Sequence, residues 1–192
     1  MLKLARNAFV APATALLLTA CATTSDPLES NLDKRSGLTV ANLQQVIVLA
    51  HPVPGRTTAA RDYAYLGPIE INRMGQREHY LWVGMASTLD RKFFSDGRPT
   101  PTTLQLLLDG SPMTLPLTAW DDDMTTAPYT VSAPVQAQLR ARVSLDQLEH
   151  IAKADSVEVR FVARPTASDR YELWGGDWSE LATFAEAVKT QP

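Results

Sequence analysis

Clustered carboxylates are the first feature of this chain that could do chemistry. Asp121-Asp122-Asp123 stand in one run, with Asp109 not far before them, and a hard cation such as calcium is held by oxygen ligands of this kind. Consecutive side chains project in different directions, however, and the spaced Asp, Gly and Glu pattern of a calcium loop is missing, so the run reads as a solvated turn after Trp120. His51, His79 and His150 fall in a turn, at a strand start and on a helix. A zinc site would need folding to bring all three together; otherwise they are exposed or core-satisfied histidines. Serine, histidine and aspartate are all present, but no Gly-x-Ser-x-Gly elbow presents a serine. Gly175-Gly176 precedes a helical stretch without the spacing or lysine of a nucleotide loop. The sequence therefore assigns no catalytic residue, no metal ligand and no cofactor.

A more specific feature is the group Arg140, Arg142, Arg160, Arg164 and Arg170. Arg140, Arg142 and Arg160 fall on the wet faces of two cleanly alternating strands, and if those strands are neighbours the three line one anion or partner surface. The planar guanidinium fork suits carboxylate or phosphate, as on lipid headgroups, glycan polymers or a partner's acidic patch. The alternative is cross-strand pairing with Glu158 and Glu172. Trp82 and Trp178 fit core stripes. Trp120 and Trp174 flank turns, where a surface aromatic beside arginine would mark a binding site.

Residues 1 to 21 carry Lys3 and Arg6, then an apolar stretch from Phe9 to Leu18, then Leu18-Thr19-Ala20-Cys21 with the only cysteine of the chain. Basic start, apolar centre and small residues before a cleavage point are the parts of a secretory signal, too short to remain as a membrane-spanning helix. The tetrad resembles the lipobox of bacterial lipoproteins, a processing class that covers only these 21 residues. The resemblance implies that residues 1–20 are removed, that Cys21 becomes the first residue, and that its sulfur and amino group carry acyl chains. Two or three such chains anchor stably, where one anchors marginally. Ala22, in place of an aspartate, resembles the pattern sorted to the outer membrane.

Cleavage there removes two basic residues and no acid, taking the formal net charge from −3 to −5. A mildly acidic chain without a basic run has no general attraction to nucleic acid. With its one cysteine lipidated it has no thiol for a disulfide, so packing must supply the stability. Residues 21–37, rich in Thr, Ser, Asp and Pro, read as the lipidated N-terminus and a flexible tether. Residues 38–192 read as a single globular domain, with neither a second boundary nor an internal repeat.

Inside that domain period-two alternation dominates. The apolar run Val46 to Ala50, the pair Ile69 and Ile71, and Glu78 to Ala86 read as strands, with residues 56 to 66 as a polar loop. Thr102 to Leu108 reads as a strand and a candidate partner of Glu78 to Ala86. Asp109-Gly110 then turns a hairpin, because both residues accept the positive φ it requires. Pro112 and Pro116 place the second arm at a sheet edge. Val135 to Val143 is the cleanest alternation. Ser144 with Gln147 reads as a capping box opening a helix, Val157 to Ala163 and Arg170 to Trp174 as strands, and Asp177 with Glu180 as the cap of a last helix. The expected class is α+β and β-rich: a mostly antiparallel sandwich or half-open barrel of seven or eight strands, with two short helices in the C-terminal third. A parallel crossover from Val135 to Ala163 is the open alternative.

Two functional expectations follow. The leading one is a lipid-anchored, non-catalytic binding or assembly module at the periplasmic face of the outer membrane, with the membrane, and an envelope protein or glycan, as partners. The other is a periplasmic hydrolase or modifying enzyme acting on envelope polymers, which requires a histidine within about 3 Å of both a carboxylate and a nucleophile.

Overall fold

The computed structural model of the protein describes residues 27–34, 36–57, 59–89, 100–120, 127–164 and 167–191. Cys21 and its tetrad, the Asp121-Asp122-Asp123 run and the polar residues from Asp90 to Gly97 lie outside them. Among the described residues the strands are β1 (Leu28–Leu32), β2 (Thr39–Leu43), β3 (Ile47–Pro52), β4 (Arg61–Arg73), β5 (Gln76–Ser87), β6 (Thr103–Leu108), β7 (Ser111–Ala119), β8 (Ala137–Arg142), β9 (Val157–Arg164) and β10 (Ala167–Gly175). Helix α1 (Leu145–Ala152) lies between β8 and β9, and α2 (Ser179–Thr190) comes last.

The sheet closes on itself. Around the cylinder the order is β4-β3-β10-β9-β6-β7-β8-β5, and β5 pairs back onto β4. Every ladder is antiparallel. The expected antiparallel, β-rich architecture is thus a fully closed eight-stranded barrel, with β1 and β2 added to β4 outside it. Alternation explains the closure: Leu49, Leu66, Leu81, Val83, Leu104, Leu106, Leu139 and Val159 all turn inward and are buried in one cluster. An eight-stranded cylinder is just wide enough for such side chains to fill it. Leu148 and Ile151 of α1 and Leu181, Phe184 and Val188 of α2 belong to the same cluster, so the two helices close one rim of the barrel.

The local signals hold closely. Asp109 (φ 48°) and Gly110 (φ 84°) make the β6–β7 turn, and Met74 (φ 51°) with Gly75 (φ 88°) makes the equivalent β4–β5 turn. At α1 the Ser144 hydroxyl accepts the Gln147 amide at 3.1 Å, while the Gln147 side chain accepts the Ser144 amide at 2.9 Å. At α2 the cap differs from expectation. The helix starts at Ser179 with Trp178 as N-cap, and Asp177 accepts the Ser179 amide at 2.7 Å without a reciprocal bond from Glu180.

Other expectations are corrected. The stretch read as tether contains β1, anchored by buried Leu28 and paired with β2 through Leu28↔Leu43 to Leu32↔Thr39; one apolar anchor in five residues leaves no periodicity to detect. The polar loop at 56–66 gives way at Arg61 to β4, where Asp62 faces inward and is fully buried, so the alternation carries a charge on its apolar side. β6 pairs with β7 and β9, not with β5. β7 is no free edge, since Leu117–Ala119 pair with β8; Pro112 and Pro116 lie before that ladder, where β7 has β6 alone. β8 and β9 are separated by β7 and β6, which rules out the parallel crossover.

Phe184 is fully buried between the helices and the barrel core. Phe184→Ala should cost about 3 to 5 kcal/mol in urea denaturation, and a loss under about 1 kcal/mol would mean that α2 does not close the rim. A second test concerns Asp109, whose carboxylate accepts the Ser156 amide (2.8 Å) and hydroxyl (3.1 Å) and the Asp155 amide (3.3 Å). The Ser156 amide above all holds its pKa below the ordinary aspartate value. Its stabilising contribution is complete above the unfolded value and is lost as pH falls through the depressed folded one. Asp109→Asn should therefore flatten the acid limb of a curve of Tm against pH; parallel curves would refute the assignment.

Candidate functional site

The barrel divides the arginines predicted to share a surface. Arg140 and Arg142 lie on β8 and Arg160 on β9, with β7 and β6 between them. The condition of neighbouring strands is not met. Arg142 pairs with Glu78 at 2.9 Å and Arg140 lies over the Tyr80 ring at 5.0 Å. On the other side Arg160 and Arg170, directly opposite each other on β9 and β10, both approach Glu158, at 3.7 and 3.6 Å. Exposed pairs of this sort contribute about 0.2 to 1 kcal/mol each.

His51 and His79 are tied into structural bonds. His51 Nδ1 lies 2.7 Å from the Arg170 carbonyl; a carbonyl only accepts, so Nδ1 carries the proton. Its Nε2 is 3.9 Å from Asp169. His79 Nε2 lies 3.1 Å from Glu70, which also accepts Arg77 Nε at 2.8 Å. Arg77 then reaches the end of α2, donating to the Val188 carbonyl at 3.1 Å. Glu70, Arg77 and His79 thus latch the last helix onto the β4–β5 hairpin. His150 is exposed on α1. The Ser87 hydroxyl donates straight to buried Asp62 at 2.7 Å, with no imidazole between them to take its proton. Among the described residues, no group of three or more His, Cys, Asp or Glu side chains is arranged to hold a metal ion.

Of the two tryptophans that flank turns, Trp174 is exposed and Trp120 is packed. Trp82 is fully buried and donates to Gln138 at 3.0 Å. Trp178 packs against the barrel cluster, and Trp120 against a second cluster outside the barrel. Trp174 is 58 % exposed, and the guanidinium of Arg61 lies 4.5 Å from its ring centre. A surface aromatic beside an arginine is therefore present, with Arg61 in the place expected for the β8 and β9 arginines.

A further concave surface lies outside the barrel. A cleft of about 690 Å³ runs between the β1–β2 ribbon and the segment from Ala127 to Thr130. The register Glu29↔Asn42 and Asn31↔Val40 puts these four side chains on one face, which forms its floor. Tyr129 forms the wall: its ring packs on Trp82 (centroids 5.5 Å apart) and its hydroxyl donates to the Pro68 carbonyl at 2.5 Å. Burial raises the Tyr129 pKa far above the ordinary tyrosine value, so the phenol stays protonated. Gly67 lies under this ring, where a Cβ would overlap it. The sequence reading passed over Glu29, Asn42 and Tyr129. One signal was available, the single amide in Leu38-Thr39-Val40-Ala41-Asn42-Leu43.

Searches for related proteins found no match to this chain among family models, curated proteins or solved structures.

The Glu70 latch makes a direct prediction. Removing one partner of a buried ion pair costs about 3 to 5 kcal/mol, a figure to be reduced here because Arg77 is 29 % exposed. Glu70→Ala should lower stability by roughly 2 to 3 kcal/mol and raise amide hydrogen exchange first in α2. Uniform protection in α2 would contradict the latch.

Proposed function

We propose that the chain is a lipid-anchored protein of the cell envelope, a non-catalytic binding or assembly module held at the periplasmic face of the outer membrane. The observation that carries this reading is the tetrad Leu18-Thr19-Ala20-Cys21 behind its basic and apolar leader. The fold is compatible with it in two ways. Seven peptide steps separate Cys21 from Leu28, the first residue of β1, a reach of at most roughly 25 Å. An anchor at Cys21 therefore keeps the β1–β2 ribbon close to the membrane surface. The barrel also has an apolar interior and outward charges such as Arg140, Arg142 and Glu158, the reverse of a barrel that faces lipid. Among the described residues no helix is long and apolar enough to cross a membrane.

A binding role is preferred to hydrolysis because of where the polar groups go. The hydrolytic reading asks for an imidazole between nucleophile and carboxylate. His51 and His79 instead meet the Arg170 carbonyl and the Glu70 latch. Among the described residues the surface offers exposed Trp174 with Arg61, and β1, which ends the strand order. An envelope protein or a glycan is the partner class that fits such features.

Replacing Cys21 by serine tests the anchor. The variant should fold with unchanged Tm yet move from the membrane to the soluble fraction, and mass spectrometry of the wild type should find an acylated N-terminal cysteine. A wild-type N-terminus without acyl chains would overturn the proposal.

A further inference from the structure

We infer that the end of the molecule carrying the β4–β5 turn and the last residue of β1 rests on a phospholipid bilayer, with Met74 and Leu32 entering its headgroup region. The inference rests on the lipid-anchor reading for the membrane that it faces; the surface itself is argued from Met74. This residue is 98 % exposed at the tip of the β4–β5 hairpin and holds a left-handed φ of 51°. Turns of this kind favour Asn, Asp or Gly at such a position. The β6–β7 turn follows that preference, since Asp109 has a φ of 48° and its carboxylate accepts the Ser156 amide. Met74 has neither a turn-forming side chain nor a packed one. Asn72 Oδ1 accepts the Gly75 amide at 2.8 Å, which fixes the tip. A large apolar side chain is thus held out into solvent, and covering it with an apolar phase is favourable.

A second apolar residue lies at the same end. The registers Leu32↔Thr39 and Thr39↔Asn72 put Leu32 in one row with Asn72, two positions before Met74. At about 4.8 Å per strand, roughly 10 Å separates Leu32 from Asn72. Leu32 is 63 % exposed. Lys34 and Arg73 stand beside these two residues, both exposed and neither in an ion pair among the described residues, while the intervening Asp33 is half-buried. Apolar tips flanked by free basic groups suit a bilayer, whose interface takes the apolar side chains while its phosphates meet the ammonium and guanidinium. Reach favours the bilayer over a protein partner. Leu28 and Leu32 are about 13 Å apart along β1, whereas the link from Cys21 to Leu28 spans up to roughly 25 Å. An acylated Cys21 therefore reaches the level of both tips.

The test uses the purified Cys21→Ser chain, which carries no acyl group, so that its result is separate from that of the anchor. With vesicles of phosphatidylethanolamine and phosphatidylglycerol the chain should co-float. Amide exchange in the bound chain should slow at residues 32–34 and 73–76, but not at residues 55–57 in the β3–β4 turn at the opposite end of β4. Met74→Ser, at a position that packs against nothing, should fold and partition about 10-fold more weakly. Lys34→Gln with Arg73→Gln should reduce the salt dependence of partitioning. The inference is overturned if the chain does not co-float, if the slowed exchange lies elsewhere, as association through residues 1–20 would give, or if Met74→Ser partitions like its parent. Any of these beside an acylated wild type removes the surface and leaves the anchor; slowed tips beside an unacylated wild type do the reverse.

Discussion

The structure depends on one strand serving two partners along one edge. β4 pairs with β5 over its whole length, from Asp62↔Ser87 to Arg73↔Gln76. Its other edge takes β3 as far as Leu66↔Ile47 and takes β2 from Ile69↔Asn42 onward. Between them lie Gly67 and Pro68, which have no strand partner on that edge. An unpaired buried amide would be costly there. Proline has none to leave unpaired, and its carbonyl is taken by the Tyr129 hydroxyl. Glycine provides the room for the Tyr129 ring. The switch of partner, the closure of the barrel and the wall of the outer cleft thus share one solution.

Closure has a consequence for where function can lie. The barrel removes its own edges and, among the described residues, fills its interior with side chains such as Leu104, Val159 and Phe161. The helices take one rim, fixed by the Glu70, Arg77 and His79 latch and by the α1–α2 pair of Glu149 and Lys189. What is left for recognition is attached to the outside: the β1–β2 ribbon with its cleft, and Trp174 with Arg61. The ribbon is also double-sided, since Leu28 and Leu43 join the barrel cluster while Val40 joins the outer one. It is therefore held in place rather than hinged.

Polar groups inside this frame are few and mostly paired. Asp62 has the Ser87 hydroxyl, and Glu70 has the Arg77 guanidinium and the His79 ring. Against that background two buried side-chain atoms among the described residues have no hydrogen-bond partner, Asn42 Oδ1 and Trp120 Nε1.

The sequence by itself determined whatever is written into neighbours two to four positions apart. It set the alternation of Leu139, Ala141 and Val143 against Gln138, Arg140 and Arg142, the Asp109-Gly110 reversal, the Ser144–Gln147 box, and the stripe of Leu181, Phe184 and Val188. Only the tertiary structure decided which strands are neighbours. It put β7 and β6 between Arg142 and Arg160, made a strand of Leu28–Leu32 from a single buried leucine, and brought Tyr129 to a proline sixty-one positions earlier. The physical reason is that side-chain period and turn chemistry are local properties of the chain. Strand order and closure are settled by the summed burial of remote faces, and that sum exists only once the sheet has closed.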